Sequence, residues 1–301
     1  MKRPPVRVVR HESVLGRWEM VRGAPHPLLT GLVRGYAGFV EHGPRRLRRR
    51  EVAQEQVTLI LNFGPPLRVG GPTEPTAERG SFVAAITDTY AITEHDGVSH
   101  GLQVDFSPLG AHMLLGLPMH ELSALVIPLE EVLGREAPRL VEALAEAPGW
   151  PARFEMLDRF VLTRVEAARR PSPDVAFAWS RLVETSGRIP IASLASELGC
   201  SRRHLVGRFR EQVGPAPKTA ARIMRFAGAV RRLGLDDGSR FAEIAGDCGY
   251  YDQPHLNRDF RELAGTTPSE FVASRLPDGF GFRCRSLTWF TFVQDGRAGR
   301  A

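Results

Sequence analysis

Apolar and polar positions change their period once along this chain. Up to about residue 110 the apolar residues fall in runs of strand length, with candidates at 18–21, 32–40, 56–63, 80–86, 90–93 and 102–106. Turn-forming clusters separate them: His42-Gly43-Pro44, Gly64-Pro65-Pro66, Gly70-Gly71-Pro72 and Asp96-Gly97. Many short strands punctuated in this way predict a small β-barrel or sandwich. From Pro108 the spacing becomes helical, with segments at 111–115, 129–133, 139–145 and 151–168. The fold class expected is α+β: a β-rich N-terminal region with helices, then an all-α region.

Within the all-α region a single pattern occurs twice. The stretch 194–217 carries Leu194-Ala195, Gly199-Cys200, Ser201, His204-Leu205, Phe209-Arg210-Glu211, Gly214 and Pro217. The stretch 244–268 carries Ile244-Ala245, Gly249-Tyr250, Asp252, His255-Leu256, Phe260-Arg261-Glu262, Gly265 and Pro268. The offset is 50 up to the glycine and 51 beyond it, so the second turn holds one extra residue. One supersecondary unit is therefore present twice. Ile191, Leu194, Ala195 and Leu198 make one apolar helical face, and Phe241, Ile244, Ala245 and Cys248 repeat it. Gly199 and Gly249 suit the left-handed end of a helix, and Ser201 and Asp252 suit the N-cap of the next. Leu205 and Phe209, like Leu256 and Phe260, are expected to face inward. Helix, glycine turn and capped helix make a helix-turn-helix, whose second helix enters the major groove.

At these residues the chain resembles the AraC/XylS family of bacterial transcription regulators. That family carries two such units joined by one long helix, and a helical stretch at 218–233 opened by Pro217 stands in that place. The resemblance runs over 171–276. Its most specific piece is Gly249-Tyr250, Asp252-Gln253-Pro254-His255-Leu256, Phe260 and Gly265-Thr266-Thr267-Pro268-Ser269-Glu270-Phe271. It implies a DNA-binding domain at 171–276, with Val175, Trp179 and Leu182 inside its first helix and Ser172 as that helix's cap. It also implies that 1–170 is a cupin-like sensor and dimerisation domain. The segment from Gly101 through Ser107-Pro108-Leu109-Gly110-Ala111 to Leu117-Pro118 looks like the sensor half of one subgroup. Partners implied are double-stranded DNA, a small-molecule effector, a second copy of the chain and RNA polymerase.

The helical period sets which side chains reach DNA. Arg202, Arg203, Val206, Gly207 and Arg210 point outward from the first recognition helix, and Arg203 is the candidate for a bidentate guanine contact. Val206 and Gly207 stand where the family often has polar or basic side chains; they offer a thymine-methyl contact and close backbone approach instead. Gln253, Pro254, Asn257, Arg258 and Arg261 point outward from the second. Gln253 and Asn257 suit adenine, and Arg258 suits guanine or a phosphate. On the joining helix Lys218, Arg222 and Arg225 form a basic stripe opposite Ile223, Phe226, Val230 and Leu233. His204 and His255 are expected to pack and hydrogen-bond.

Charge separates the two units. Residues 181–235 hold eleven Lys/Arg against three acids, net +8, while 236–274 hold three against eight, net −5. Phosphate attraction dominates affinity for DNA, so the first unit is expected to anchor and the second to contribute shape readout or a polymerase contact. The whole chain has net charge +6 and 43% hydrophobic residues, a globular composition. The run 45–50, basic apart from Leu47, reads as a solvated loop or edge-strand guard.

Other chemistry finds little support. His11, His26, His42, His95, His100, His112 and His120 include no HxH with a following Glu and His, so no metal or cofactor is expected. Trp18, Tyr36, Phe39 and Phe63 are core residues or the lining of an effector pocket. Cys200, Cys248 and Cys284 form no CxxC pair, which fits reduced structural thiols in a cytoplasmic protein. Met1-Lys2-Arg3 precedes Pro4-Pro5, not an apolar run, and no segment is long enough to span a membrane. The apolar tail, 277–301, is expected to pack as a strand or an extended segment, with the sensor domain as one surface for it. No catalysis is expected. Two alternatives stay open: an effector-free regulator whose N-terminal domain only dimerises, and an alkyl-transfer repair enzyme with an attached DNA module. The latter would need a reactive cysteine in a basic, exposed motif, and none is present.

Overall fold

The computed structural model describes residues 6–13, 16–43, 46–122, 126–235, 239–273 and 292–294. The N-terminal strands are β1 (Arg7–Ser13), β2 (Gly16–Gly23), β3 (Val33–His42), β4 (Leu47–Glu51), β5 (Val57–Asn62), β6 (Leu67–Gly70), β7 (Ala77–Arg79), β8 (Phe82–Ala84), β9 (Ala91–His95) and β10 (Val98–Phe106). Helix α1 (Pro108–Leu115), β11 (Val126–Pro128), α2 (Leu129–Leu133), α3 (Glu136–Glu146) and α4 (Trp150–Ala167) follow. The C-terminal half is helical: α5 (Pro173–Glu184), α6 (Ile191–Glu197), α7 (Arg202–Val213), α8 (Pro217–Gly234), α9 (Phe241–Asp247), α10 (Gln253–Ala264) and α11 (Pro268–Ala273). A short β12 (Phe292–Gln294) closes the described chain.

The β-rich region consists of two antiparallel sheets. One has the order β1-β2-β3-β10-β5-β8-β11, the other β12-β4-β9-β6-β7. The alternative of a closed barrel is not what forms among the described residues. A barrel needs one unbroken ladder of strand pairs, but consecutive strands here change sheet. At Asp96-Gly97 the chain leaves β9 in the smaller sheet and enters β10 in the larger.

Alternation along the strands builds two cores. Leu59, Leu61, Leu102, Val104 and Phe106 point from the larger sheet toward the helices and pack with Leu144, Phe154 and Leu157. On the opposite face Phe39 and Ile60 meet Leu67, Val69 and Phe82 between the sheets. Gly38 lets α4 come close: a Cβ there would lie 2.2 Å from the Trp150 ring. Asp158 on α4 accepts from Tyr36 Oη at 2.8 Å and from the His26 amide at 2.9 Å, so this buried carboxylate is paired.

The basic run is not a solvated loop. Arg45 lies outside the described residues, but 47–51 form β4, an internal strand between β9 and β12. Arg46 and Arg48 pair with Glu94, and Arg49 pairs with Glu41. The tail forms a strand where it is described, Phe292–Gln294 lying antiparallel on β4. Leu287, Trp289, Phe290 and Cys284 lie outside the described residues. Ser172 precedes α5 as expected but makes no side-chain cap; its amide donates to Gln212 Oε1 at 2.8 Å.

Candidate nucleic-acid interface

The two units fold by the same local chemistry. Gly199 and Gly249 hold φ of +62° and +77°, a conformation open to glycine at little cost. Ser201 Oγ accepts from the His204 amide at 3.2 Å, and Asp252 Oδ1 accepts from the His255 amide at 2.8 Å. Each cap satisfies one donor that a helix start leaves open. Leu194, Ala195, Leu205 and Phe209 are buried in one core, and Ile244, Ala245, Leu256 and Phe260 in another. Helix α8, 18 residues and about 27 Å long, joins them.

Most of the expected readers are accessible. On α7 Arg202, Arg203, Gly207 and Arg210 are exposed and Val206 half-buried. On α10 Arg258, Arg261 and Pro254 are exposed, and Gln253 and Asn257 are half-buried. Among the described residues Arg202, Arg203, Arg258 and Arg261 make no ion pair. Arg210 sits elsewhere, lining a crevice with Asp88 and His120 of the N-terminal half.

The stripe on α8 is used differently from the expectation. Lys218 is exposed, but Arg222 Nε donates to Asp259 Oδ1 at 2.8 Å and its Nη2 to Glu262. Arg225 Nη1 donates to the Gly187 carbonyl at 2.8 Å. Both arginines therefore tie the joining helix to its neighbours. Arg232 adds a longer pair to Asp247 at 3.6 Å. Part of the second unit's negative charge is thus neutralised from α8, which linear counting did not reveal. The expected packing of both histidines holds for one: His255 meets Tyr250 edge-on at 5.1 Å, while His204 is exposed.

A helix-turn-helix domain family matches residues 194–274, spanning both units and α8. Residues 194–274 are an AraC-type DNA-binding domain. The chain is accordingly a DNA-binding transcription regulator of the AraC/XylS kind. Similar solved structures include ToxT from Vibrio cholerae, at 13% identity over 76% of this chain and 93% of that one, with a TM-score of 0.45. The DNA-binding domain of AdpA, solved with a target DNA, is 28% identical over 35% of this chain and 94% of that one, with a TM-score of 0.32. The C-terminal domain of AraT from Geobacillus stearothermophilus is 21% identical over 39% and 98%, with a TM-score of 0.34. No curated protein sequence matches the chain. Among the described residues of this AraC-type regulator, no helix is long and apolar enough to cross a membrane.

Sequence reasoning missed two features of the regulator. Tyr251, the extra residue of the second turn, is 93% exposed immediately before the cap of α10. An exposed aromatic ahead of a cap was the available signal. The second is the segment following β4. Val52 and Ala53 are buried in the core of the second unit, and the Ala53 amide donates to the Leu263 carbonyl at 2.9 Å. Arg50 donates to the Gly265 carbonyl, and the Tyr90 ring lies where a Cβ on Gly265 would stand 2.5 Å from it. Glu55 pairs with Arg231 of α8 at 3.1 Å.

That segment also walls a cavity of about 170 Å³ between the two sheets. Its apolar side includes Phe39, Ile60, Leu67, Val69 and Phe82. Its polar end holds Glu41, Arg49, Glu51 and His95. Burial alone would raise Glu41, but the Arg49 charge and hydrogen bonds from His95 and Arg49 outweigh it and hold the carboxyl at about 2. For Glu51 burial wins over the Arg49 charge and the Thr93 bond, and its pKa is raised.

Proposed function

We propose that this regulator responds to a small-molecule effector held in the inter-sheet cavity and binds operator DNA through both recognition helices. In this reading Arg202 and Arg203 on α7 supply the main phosphate and base contacts, with Val206 and Gly207 allowing close approach. Gln253, Asn257, Arg258 and Arg261 read the adjoining turn of DNA, and Lys218 adds a phosphate contact. Arg222 and Arg225 position α8 instead of touching DNA. The protein works in the cytoplasm as a homodimer and contacts RNA polymerase at the promoter.

The observation that carries the effector response is the double duty of 51–56. Glu51, Val52, Ala53 and Gln56 line the cavity, while Val52 and Ala53 also pack into the second unit's core. An occupant that favours one position of this segment shifts the second unit with it, provided it binds the two positions with different affinity. Selection of bound fragments from random duplexes, followed by footprinting, tests the DNA reading. The expected result is two protected major-groove segments about one helical turn apart. Protection of a single segment would sink the two-helix reading. Failure of any cavity ligand to alter that footprint would favour an N-terminal half that only dimerises.

A further inference from the structure

The charged groups of the cavity are not all paired. Arg49 places its two terminal nitrogens on the two oxygens of Glu41, at 3.0 and 2.9 Å. His95 Nε2 stands 3.1 Å from the same carboxylate. Glu41 is thus ion-paired with Arg49, and the cavity's one arginine is already engaged. Glu51, two residues along β4 and on the same face, has only Thr93 Oγ1 at 2.9 Å as a side-chain partner among the described residues. No cation lies within ion-pair distance of it there. The polar end therefore holds one carboxyl, Glu51, with no ion-pair partner among the described residues, and burial raises its pKa because the Arg49 charge and the Thr93 bond do not offset the loss of solvation of its ionised form. A ligand cation placed on it would favour its ionised form, whereas a ligand anion would be repelled by it.

Two further groups lining the cavity carry buried polar atoms without a hydrogen-bond partner among the described residues. Gln56 is 7% exposed and lines the cavity, yet its Nε2 has no hydrogen-bond partner among the described residues. His95 is 6% exposed, lines it too, and leaves Nδ1 without one. Buried polar atoms are rarely left this way unless something else meets them. Phe39 and Phe82 also line the cavity, within the apolar cluster between the sheets. The volume suits one ring with a short arm, since an apolar cavity of about 150 Å³ holds benzene.

We propose that the cavity takes a compact organic cation, a monocyclic primary amine, with its ammonium on Glu51 and its ring between Phe39 and Phe82. This rests on the effector reading given above and names its ligand class. Glu51 directly precedes Val52 and Ala53, so the ammonium would bind at the segment that docks on the second unit. Gln56 Nε2, a donor, would meet an acceptor substituent on the ring, and His95 Nδ1 would accept from the ammonium.

Three probes of one shape and different charge test the class: benzylamine, benzyl alcohol and benzoate, titrated calorimetrically into the full chain at neutral pH. Benzylamine is expected to bind tightest, by roughly tenfold over benzyl alcohol, as one desolvated charge-assisted contact allows. Benzoate is expected to show no binding. Glu51→Gln should bring benzylamine and benzyl alcohol level while leaving the alcohol's affinity unchanged. Should that variant not fold, the three probes on the unaltered protein decide alone. Tightest binding by benzoate, or equal binding by all three, overturns the proposal. Binding by none also overturns it, and a mobility shift on the same preparation keeps that failure apart from failure of the DNA-binding reading.

Discussion

The two helix-turn-helix units share their caps, their glycine turns and their inward residues, and differ in what surrounds their charges. In the first, the acids are met locally and near the surface: Arg181 pairs with Glu184 and Glu197, and Arg208 with Glu211. In the second, Asp259 is 2% exposed and its cation comes from α8, 37 residues earlier. The first unit therefore keeps Arg202 and Arg203 for a partner, while the second devotes charge to holding its helices together. The N-terminal half enters each core too, Leu109 in the first and Val52 with Ala53 in the second. A duplicated pattern fixes the shape of each unit and leaves its electrostatics to evolve separately.

The largest expected difference is in stability. Arg222→Ala leaves Asp259 buried without its cation, which should cost about 3 kcal/mol. Arg181→Ala removes only surface pairs and should cost less than about 1 kcal/mol. Urea unfolding of the two variants checks this, and similar losses would mean that the second unit's pair is no more than a surface contact. For DNA the order reverses. Arg203→Ala should weaken a selected site by about tenfold or more, the range for a lost bidentate base contact. Arg258→Ala is expected to weaken it by less than about threefold, since the surrounding acids oppose phosphate attraction. A larger effect from Arg258→Ala in a mobility-shift titration would invert the ranking.

The reason these contrasts were only half legible is physical. Caps, glycine turns and apolar faces are written within a few residues, so both units and α8 could be read from spacing. The Arg222 pair with Asp259 and Glu262 depends on how α8 and α10 cross, and no local period encodes it. Strand β4 was hidden for a related reason. Its Arg-rich sequence looks solvated, yet the required anions, Glu41 and Glu94, lie on β3 and β9 and arrive only with the sheet. The dock of Val52 and Ala53 on the second unit was equally out of reach, because two small apolar residues in a loop carry no sign of a partner 170 or more residues away.

A smaller contrast concerns Arg210 and Arg261, which occupy matched positions near the ends of α7 and α10. Arg210 faces the crevice shared with Asp88 and His120, so Arg210→Ala should change DNA affinity by less than about twofold. Arg261 is exposed without an ion pair among the described residues, and Arg261→Ala should cost about two- to threefold and flatten the salt dependence by about one charge. Equal effects would place the end of α7 on DNA as well.

The smallest difference is between the matched histidines, and it isolates packing from capping. Both follow their cap by three residues, and both backbone amides are bonded to it, so replacing either side chain leaves the cap intact. Among the described residues only His255 of the two has an aromatic neighbour, Tyr250, which is buried and meets it at an interplanar angle of 85°. An edge-to-face contact of this kind contributes about 0.5–1.5 kcal/mol. His255→Ala should lower the stability of the domain by about 1 kcal/mol, whereas His204→Ala, at an exposed position, should stay within about 0.5 kcal/mol. Thermal unfolding of both variants measures the difference directly. If His204→Ala cost as much as His255→Ala, the exposed histidine would have a structural role in the first unit and the packing contrast would fail.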